Sequence, residues 1–199
     1  MRQQILKRIE VPAINPVSLS EAKLDCRVDH DAEDSLIESL ISAATAFADA
    51  PNGVIGKALI SQQWALSVKY SDRYARIDLP VTPAVEIDSI SYFDPENIEQ
   101  SLSPENFYLY GEEDWAYIEP KLGTNWPATA DRLDAITITY TAGFGEAATD
   151  VPETIRQLIR LMIVHWYTNR SAVVTGTIAT QIPMAAQSLI SLNRKGWVY

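Results

Sequence analysis

The stretch Trp64-Ala65-Leu66-Ser67-Val68-Lys69-Tyr70 sets the period of the middle of the chain. Large apolar side chains stand at every second position, with small or polar ones between them. A strand sends successive side chains to opposite faces, so this spacing predicts a half-buried β-strand. The same period recurs downstream. Ile136, Ile138 and Tyr140 alternate with Thr137, Thr139 and Thr141, and Ile87, Ser89 and Ser91 alternate with Asp88, Ile90 and Tyr92. Shorter runs lie at 77–79, 107–110 and 115–119. Leu79-Pro80, Thr82-Pro83, Asp94-Pro95, Ser103-Pro104 and Tyr110-Gly111 punctuate them as turns. Six or seven short strands at this spacing predict an antiparallel β-sandwich or small barrel. No long crossover helices separate them, which argues against a parallel sheet.

On either side the period changes to that of a helix. Upstream, Leu36, Ile37, Leu40, Ile41, Ala44, Phe47 and Ala48 form one apolar stripe, ended by Pro51-Asn52-Gly53. Asp31, Glu33 and Asp34 precede it, where the helix dipole favours negative charge. Ser18-Leu19-Ser20-Glu21 has capping-box spacing and predicts a shorter helix, with Leu19, Ala22 and Leu24 partly buried. Downstream, Val151-Pro152-Glu153 starts a helix whose stripe is Ile155, Leu158, Ile159, Met162, Ile163 and Trp166. A last short helix is predicted from Pro183 to Leu192. The fold class is therefore α+β: a helical bundle from the N- and C-terminal segments, with an inserted antiparallel sandwich or small barrel. The expected division is an N-terminal arm or short edge segment (1–17), a helical core (18–56 and 150–172), a β domain (57–149) and a C-terminal tail (173–199).

Composition narrows the function classes. The 199 residues are 47% hydrophobic and 21% charged, as expected of a folded chain. A single cysteine, Cys26, excludes an intrachain disulfide framework and a multi-cysteine zinc site, and it is expected to act as a small buried hydrophobe. No apolar run of membrane-spanning length occurs, so no membrane partner is expected. The first eight residues hold no apolar core of a signal peptide. The net charge of −10 is unevenly spread: residues 1–150 carry −14 and residues 151–199 carry +4. Between Ile77 and Pro120 there are eleven acids and no Lys or Arg. Such a segment repels a phosphate backbone. It is read as a solvated surface, a contact for a basic partner, or the wall of a duct past which nucleic acid slides.

Candidate chemistry is sparse. Asp29, Asp31, Glu33 and Asp34 look like the opening of a calcium loop, but the sixth position is Asp34 where Gly is needed and the twelfth is Leu40 where Glu is needed. Glu112, Glu113 and Asp114 are adjacent carboxylates, which along a strand would point to opposite faces. Thr141-Ala142-Gly143-Phe144-Gly145 lacks the Lys-Ser/Thr of a phosphate loop and reads as a strand-to-helix turn. His165 lies beside the stripe of its helix. No catalytic residue, cofactor site or metal site is assigned. Hydrolysis through Glu112, Glu113, Asp114 and His165 would need those groups to converge, and their spacing does not suggest it. The end of the chain is basic and aromatic, with Arg194, Lys195, Trp197 and Tyr199. It is read either as packed back on its own domain or, preferably, as a partner-binding tail.

The order of motifs resembles one family. Leu19-Ser20-Glu21-Ala22-Lys23-Leu24-Asp25-Cys26-Arg27-Val28-Asp29, running on to Glu33-Asp34, is similar to the opening of tailed-phage head–tail connector (head-completion adaptor, DNA-packaging) proteins. So are Gly56-Lys57-Ala58-Leu59 with Gln63-Trp64, Leu79-Pro80 with 85–92, and Thr137–Gly145. The last pieces are Val151-Pro152 with Ile155-Arg156-Gln157, and His165-Trp166-Tyr167-Thr168-Asn169-Arg170. The similarity spans about residues 18–171. Cys26 stands where the family has an apolar residue, and the segments before Val17 and after Ala172 match no motif.

The resemblance implies a virion protein of the head–tail neck, made in the host cytoplasm and without enzymatic activity or cofactor. It implies a ring, typically of twelve copies, beneath the portal protein. That ring extends the channel for double-stranded DNA without binding it specifically, and carries the next stopper or tail-completion protein. On that footing the tail from Pro183 onward is expected to dock on the portal through Met184, Leu189, Ile190, Arg194, Lys195, Trp197 and Tyr199. Truncation at Gln181 is then expected to abolish attachment without unfolding the domain. A different virion ring, a stopper or tail terminator, is the alternative.

Overall fold

The computed structural model describes residues 4–69, 76–170 and 182–196. Their order is β1 (Gln4–Arg8), α1 (Leu19–Cys26), α2 (Asp34–Ala48), β2 (Gln62–Val68), β3 (Ile77–Asp78), β4 (Ala84–Phe93), β5 (Glu99–Leu102), β6 (Phe107–Gly111), β7 (Ala116–Pro120), β8 (Ile136–Ala142), α3 (Glu153–Thr168) and α4 (Met184–Asn193). The chain is α+β, with antiparallel sheets throughout. It divides into two compact units. One holds residues 13–60 and 144–196; the other holds the described residues of 1–12 and 61–143.

The first unit is helical. Ser18 caps α1 as its spacing predicts: its hydroxyl accepts from the Glu21 N–H at 3.3 Å, and the Glu21 carboxylate accepts from the Ser18 N–H at 2.9 Å. Arg27 ends the helix in the left-handed conformation, with φ 59°. Ala22 is buried, but Leu24, expected to be partly buried, is 76% exposed. An eight-residue helix buries only a narrow stripe, and Leu24, two positions from Ala22, lies on the opposite side of the helix. Along α2 the buried positions are Ile37, Ile41, Ala44 and Ala48, and along α3 they are Ile155, Leu158, Ile159, Met162 and Ile163. These two stripes meet with Val17, Ala22, Ile55, Leu59 and Val151 in one core. A buried carboxylate near it is used: Asp49 accepts from the Leu59 N–H at 2.9 Å.

α4 belongs to this unit. Ala186 is fully buried in the core, and Leu189 and Ile190 pack against it. Thr154 donates to the Asn193 side chain at 2.7 Å, and the Lys195 N–H donates to the Ile55 carbonyl at 2.8 Å. The sequence cue for a separate tail is its basic, aromatic composition, which says nothing about packing. The expectation that the chain can be cut at Gln181 without loss to the fold is therefore corrected.

The second unit contains two sheets. The larger has the order β1-β2-β8-β4-β5 and the smaller β3-β7-β6. Neither closes, so no barrel forms among the described residues; β1 and β5 are the edges of the larger sheet. The expected alternation holds in β2 and β8, where Trp64, Leu66 and Val68 and Ile136, Ile138 and Tyr140 are buried. Burial pushes the Tyr140 phenol up, and its oxygen accepts from the Val81 N–H at 3.2 Å. Tyr70, the last residue of the alternating stretch, lies outside the described residues.

β4 departs from the expected phase. Two register shifts, between Ala84 and Glu86 and between Ile87 and Ser89, put Ala84, Ile87, Ile90 and Tyr92 opposite the buried Ala142, Tyr140, Ile138 and Ile136 of β8. Each bulge adds one residue, so side chains three apart share a face. Ile87 and Ile90 therefore point the same way, although strict alternation separates them. Two strands carried no periodic signal. β1 is an edge strand on β2, and β5 (Glu-Gln-Ser-Leu) is held to β4 through its backbone. The turn leading into β5 is built by Asp94. Its carboxylate accepts from the N–H groups of Ile98 at 2.9 Å and Glu96 at 3.1 Å and from Gln100 Nε2 at 3.0 Å, which holds its pKa below the usual range.

Candidate functional site

In the helical unit, acids of α1 and the α1–α2 turn meet bases on α3 and just past its end, about 135 residues later. Arg156 binds Glu21 and also donates to Glu153 at 2.7 Å and to the Pro16 carbonyl at 3.0 Å. Arg160 grips Asp25 with both ends of its guanidinium, at 2.6 and 2.7 Å. Arg170 grips Glu33 in the same way, at 2.7 and 3.0 Å, and the Tyr167 hydroxyl donates to the same carboxylate. Lys23 meets Asp31 and Asp34, each at 2.7 Å. Bidentate arginine–carboxylate pairs fix angle as well as distance, so these contacts orient α1 and the start of α2 along α3. Three of the four acids that resembled a calcium loop are thus occupied: Glu33 with Arg170 and Tyr167, Asp31 and Asp34 with Lys23. The residues quoted in two separate motifs, Glu21, Lys23, Glu33 and Asp34 in one and Arg156, Tyr167 and Arg170 in the other, form a single structural staple.

The electrostatics follow from these contacts. Hydrogen bonds from Arg170, then from Tyr167, lower the Glu33 pKa from 4.5 to about 2. Glu21 is lowered by the Ser18 N–H, then by the Ser18 hydroxyl and by Arg156. Burial raises the Cys26 thiol, which is half-buried at the edge of the core. Glu33 binds fewer protons folded than unfolded between its two pKa values. Its contribution to stability is complete above pH 4.5, declines on acidification, and is gone below about pH 2. The stability difference between wild type and Glu33→Gln, from denaturant titrations across this range, is expected to be largest above pH 4.5 and to close by about pH 2. A difference independent of pH would show that the pair is not formed.

The other candidates separate. Glu112, Glu113 and Asp114 lie in the β6–β7 turn of the sheet unit, where the Glu112 N–H donates to the Trp115 carbonyl at 2.8 Å. His165 lies on α3 of the helical unit, and its carbonyl accepts from the Asn169 amide at 2.7 Å. Among the described residues no group of three or more His, Cys, Asp or Glu is placed to hold a metal ion. No described helix is long and apolar enough to cross a membrane. The glycine turn after β8 needs its glycine at Gly145, with φ 157°, where a Cβ would lie 2.3 Å from the Asp150 carboxylate. That carboxylate accepts from the Ala147 N–H at 2.9 Å to close the turn before α3.

At the C-terminus, α4 divides by face. Met184 is 84% exposed and Leu192 71% exposed, whereas Leu189 and Ile190 turn toward the core. Leu192 was not singled out in the sequence, because only packing shows which α4 residues remain outside. Arg194 caps the helix, its N–H donating to the Ile190 carbonyl at 2.8 Å, and Lys195 follows. Trp197 and Tyr199 lie outside the described residues.

Comparison with known proteins adds the following. Residues 16–103 match the family model described as Phage gp6-like head-tail connector protein, so the resemblance carried by the N-terminal motifs is borne out over that stretch. Against curated proteins the sequence has no match. Among solved structures, the fold is similar to a chain of the virion of the native gene transfer agent (GTA) particle, with TM-score 0.78 and 22% identity. It is also similar to chains of the neck of an empty GTA particle computed with C6 symmetry (TM-score 0.76, 22% identity) and of the neck of a native GTA particle computed with C12 symmetry (0.63, 21%). In each case the likeness covers 98% of this chain and 97% of the other. At these identities the likeness is one of fold.

Proposed function

We propose that this chain is a structural, non-catalytic component of the neck of a tailed phage or phage-derived particle, where it acts as a head–tail connector. One observation carries the reading. The connector-family match over 16–103 falls on a chain whose fold agrees along nearly its whole length with chains from neck-containing particles. The helical unit serves as a rigid body because its two sequence-distant halves are clamped by Arg156, Arg160 and Arg170. Copies assemble into a ring, twelve being the number favoured by the family, through contacts that pair one side of a subunit with a different side of the next and close by rotation. Double-stranded DNA passes through the ring without specific binding, in keeping with the net charge of −10.

In this reading the C-terminal segment docks on the portal protein and the opposite side of the ring carries a stopper or tail-completion protein. The outward residues Met184, Leu192 and Arg194 supply the portal contact, together with Lys195, Trp197 and Tyr199. Leu189 and Ile190 support it from within. Because Met184 and Leu192 are exposed, Met184→Glu combined with Leu192→Glu is expected to change stability by less than about 0.5 kcal/mol per site. The same pair is expected to weaken portal attachment about tenfold or more, as loss of central apolar anchors does. Pull-down with the portal protein, beside a denaturant titration, measures both. Retained attachment sinks the assignment of this face.

The test of the function itself is negative-stain imaging of the chain co-expressed with its neighbouring portal protein. Portal rings bearing an added layer support the connector. Bare portals, with the chain eluting separately, overturn it in favour of a stopper or tail terminator.

A further inference from the structure

The β6–β7 hairpin has two unlike faces. Phe107, Ala116 and Ile118 are buried on one, where Phe107 packs on Trp126 with ring centroids 4.5 Å apart. The other carries a continuous row of rings. Tyr108 meets Tyr110 at 5.6 Å, Tyr110 stacks on Tyr117 at 5.3 Å, and Tyr117 stacks on Trp115 at 5.7 Å. Tyr108 and Tyr110 are 44% and 38% exposed. Trp115 and Tyr117 are partly covered, whereas Tyr108 and Tyr110 leave an aromatic surface open at one end of the row.

Two features give the row a chemical preference. First, its rings already hold cations. The Arg76 guanidinium lies 4.7 Å from the Tyr117 ring centre, and the Lys121 ammonium lies 5.1 Å from that of Tyr108. Second, the surroundings are acidic. Glu119 stands opposite Tyr108 in the register, and Glu112 and Glu113 follow at the hairpin tip, inside the 77–120 segment that has eleven acids and no base. Aromatic faces backed by carboxylates favour a planar, weakly hydrated cation, which stacks while it keeps its hydrogen bonds.

We propose that this face recognises an arginine-bearing segment of another protein, with the guanidinium stacked over Tyr110 and its charge met by Glu119. Several of this chain's own arginines are already engaged: Arg8 lies over Trp64, Arg132 on Asp134 and Phe93, and Arg156, Arg160 and Arg170 are held by Glu21, Asp25 and Glu33. The partner is therefore taken to be a different protein, and a second copy is an outcome of the test. A nucleic acid is disfavoured by the acids around the row.

The test uses the full chain and a capped Gly-Arg-Gly-Arg-Gly peptide, with lysine and citrulline versions as controls, followed by two-dimensional NMR. The arginine peptide is expected to shift the signals of the β6–β7 hairpin, to bind more tightly than the lysine peptide, and to lose binding when citrulline removes the charge. Tyr110→Leu is expected to weaken binding about three- to fivefold, the worth of one exposed cation–π contact. Glu119→Gln is expected to weaken it about twofold by loss of one nearby charge. Both variants are expected to keep the parent melting temperature. Three results overturn the proposal: no binding, equal binding of the arginine and lysine peptides that Tyr110→Leu leaves unchanged, or self-association of the free chain that Tyr110→Leu abolishes. Because the isolated chain is titrated, any of these leaves the neck assignment to its own imaging test.

Discussion

Ending the chain at Gln181 is expected to destabilise the helical unit by about 3 kcal/mol or more, in the range of a large-to-small change in a core. The truncation removes Ala186 from the interior and takes Leu189 and Ile190 off the faces of the core residues they cover. It also removes Asn193, leaving the Thr154 hydroxyl without its 2.7 Å partner, and leaves the Ile55 carbonyl without the Lys195 N–H. Denaturant unfolding followed by far-UV circular dichroism reads the effect, expected as a lowered midpoint. An unchanged midpoint would mean that α4 contributes nothing to the core it touches. The result matters for any portal experiment. Loss of attachment by the truncated chain confounds unfolding with loss of a contact, whereas the paired substitution at Met184 and Leu192 alters the outward face alone.

Trp64→Ala is expected to cost the sheet unit about 3–5 kcal/mol, the range for emptying a buried aromatic site. Trp64 is 2% exposed on β2, the strand between β1 and β8, and the Arg8 guanidinium of β1 stacks 4.8 Å from its ring centre. Its indole N–H has no hydrogen-bond partner among the described residues. Trp64→Phe therefore gives up no hydrogen bond and keeps a ring for Arg8, and is expected to cost about 1.5 kcal/mol. The two midpoints measured side by side separate the contributions. If Phe were as damaging as Ala, the indole N–H would be making a bond that the geometry does not provide.

Much of the fold is legible in local pattern. The Ser18–Glu21 box, the α2 and α3 stripes and the alternation of β2 and β8 depend on residues within one turn or one pleat of each other, and each appears where its spacing places it. β5 was not legible because its four residues, three of them polar, contribute backbone rather than side chains to the sheet, and the turn that sets it depends on one carboxylate, Asp94. The α4 core contact was hidden for a related reason. A ten-residue helix with Met, Leu and Ile scattered along it has apolar side chains to spare, and only a neighbour determines which of them is inside.

The sequence by itself determined the α+β class, the helix–strands–helix order of its main elements and the charge that sets this chain against nucleic acid. Those follow from short-range periodicity and composition. The tertiary structure alone decided which charges meet. Glu21 reads as a capping-box residue and Glu33 as a charge at the start of a helix, until Arg156 and Arg160 of α3, and Arg170 just past its end, meet them and Asp25. It also decided that two bulges turn Ile87 and Ile90 to one face, and that Tyr108, Tyr110, Tyr117 and Trp115 line up as a single surface. In each case the partners are separated by a turn or by more than a hundred residues, and register and packing are properties of the assembled chain.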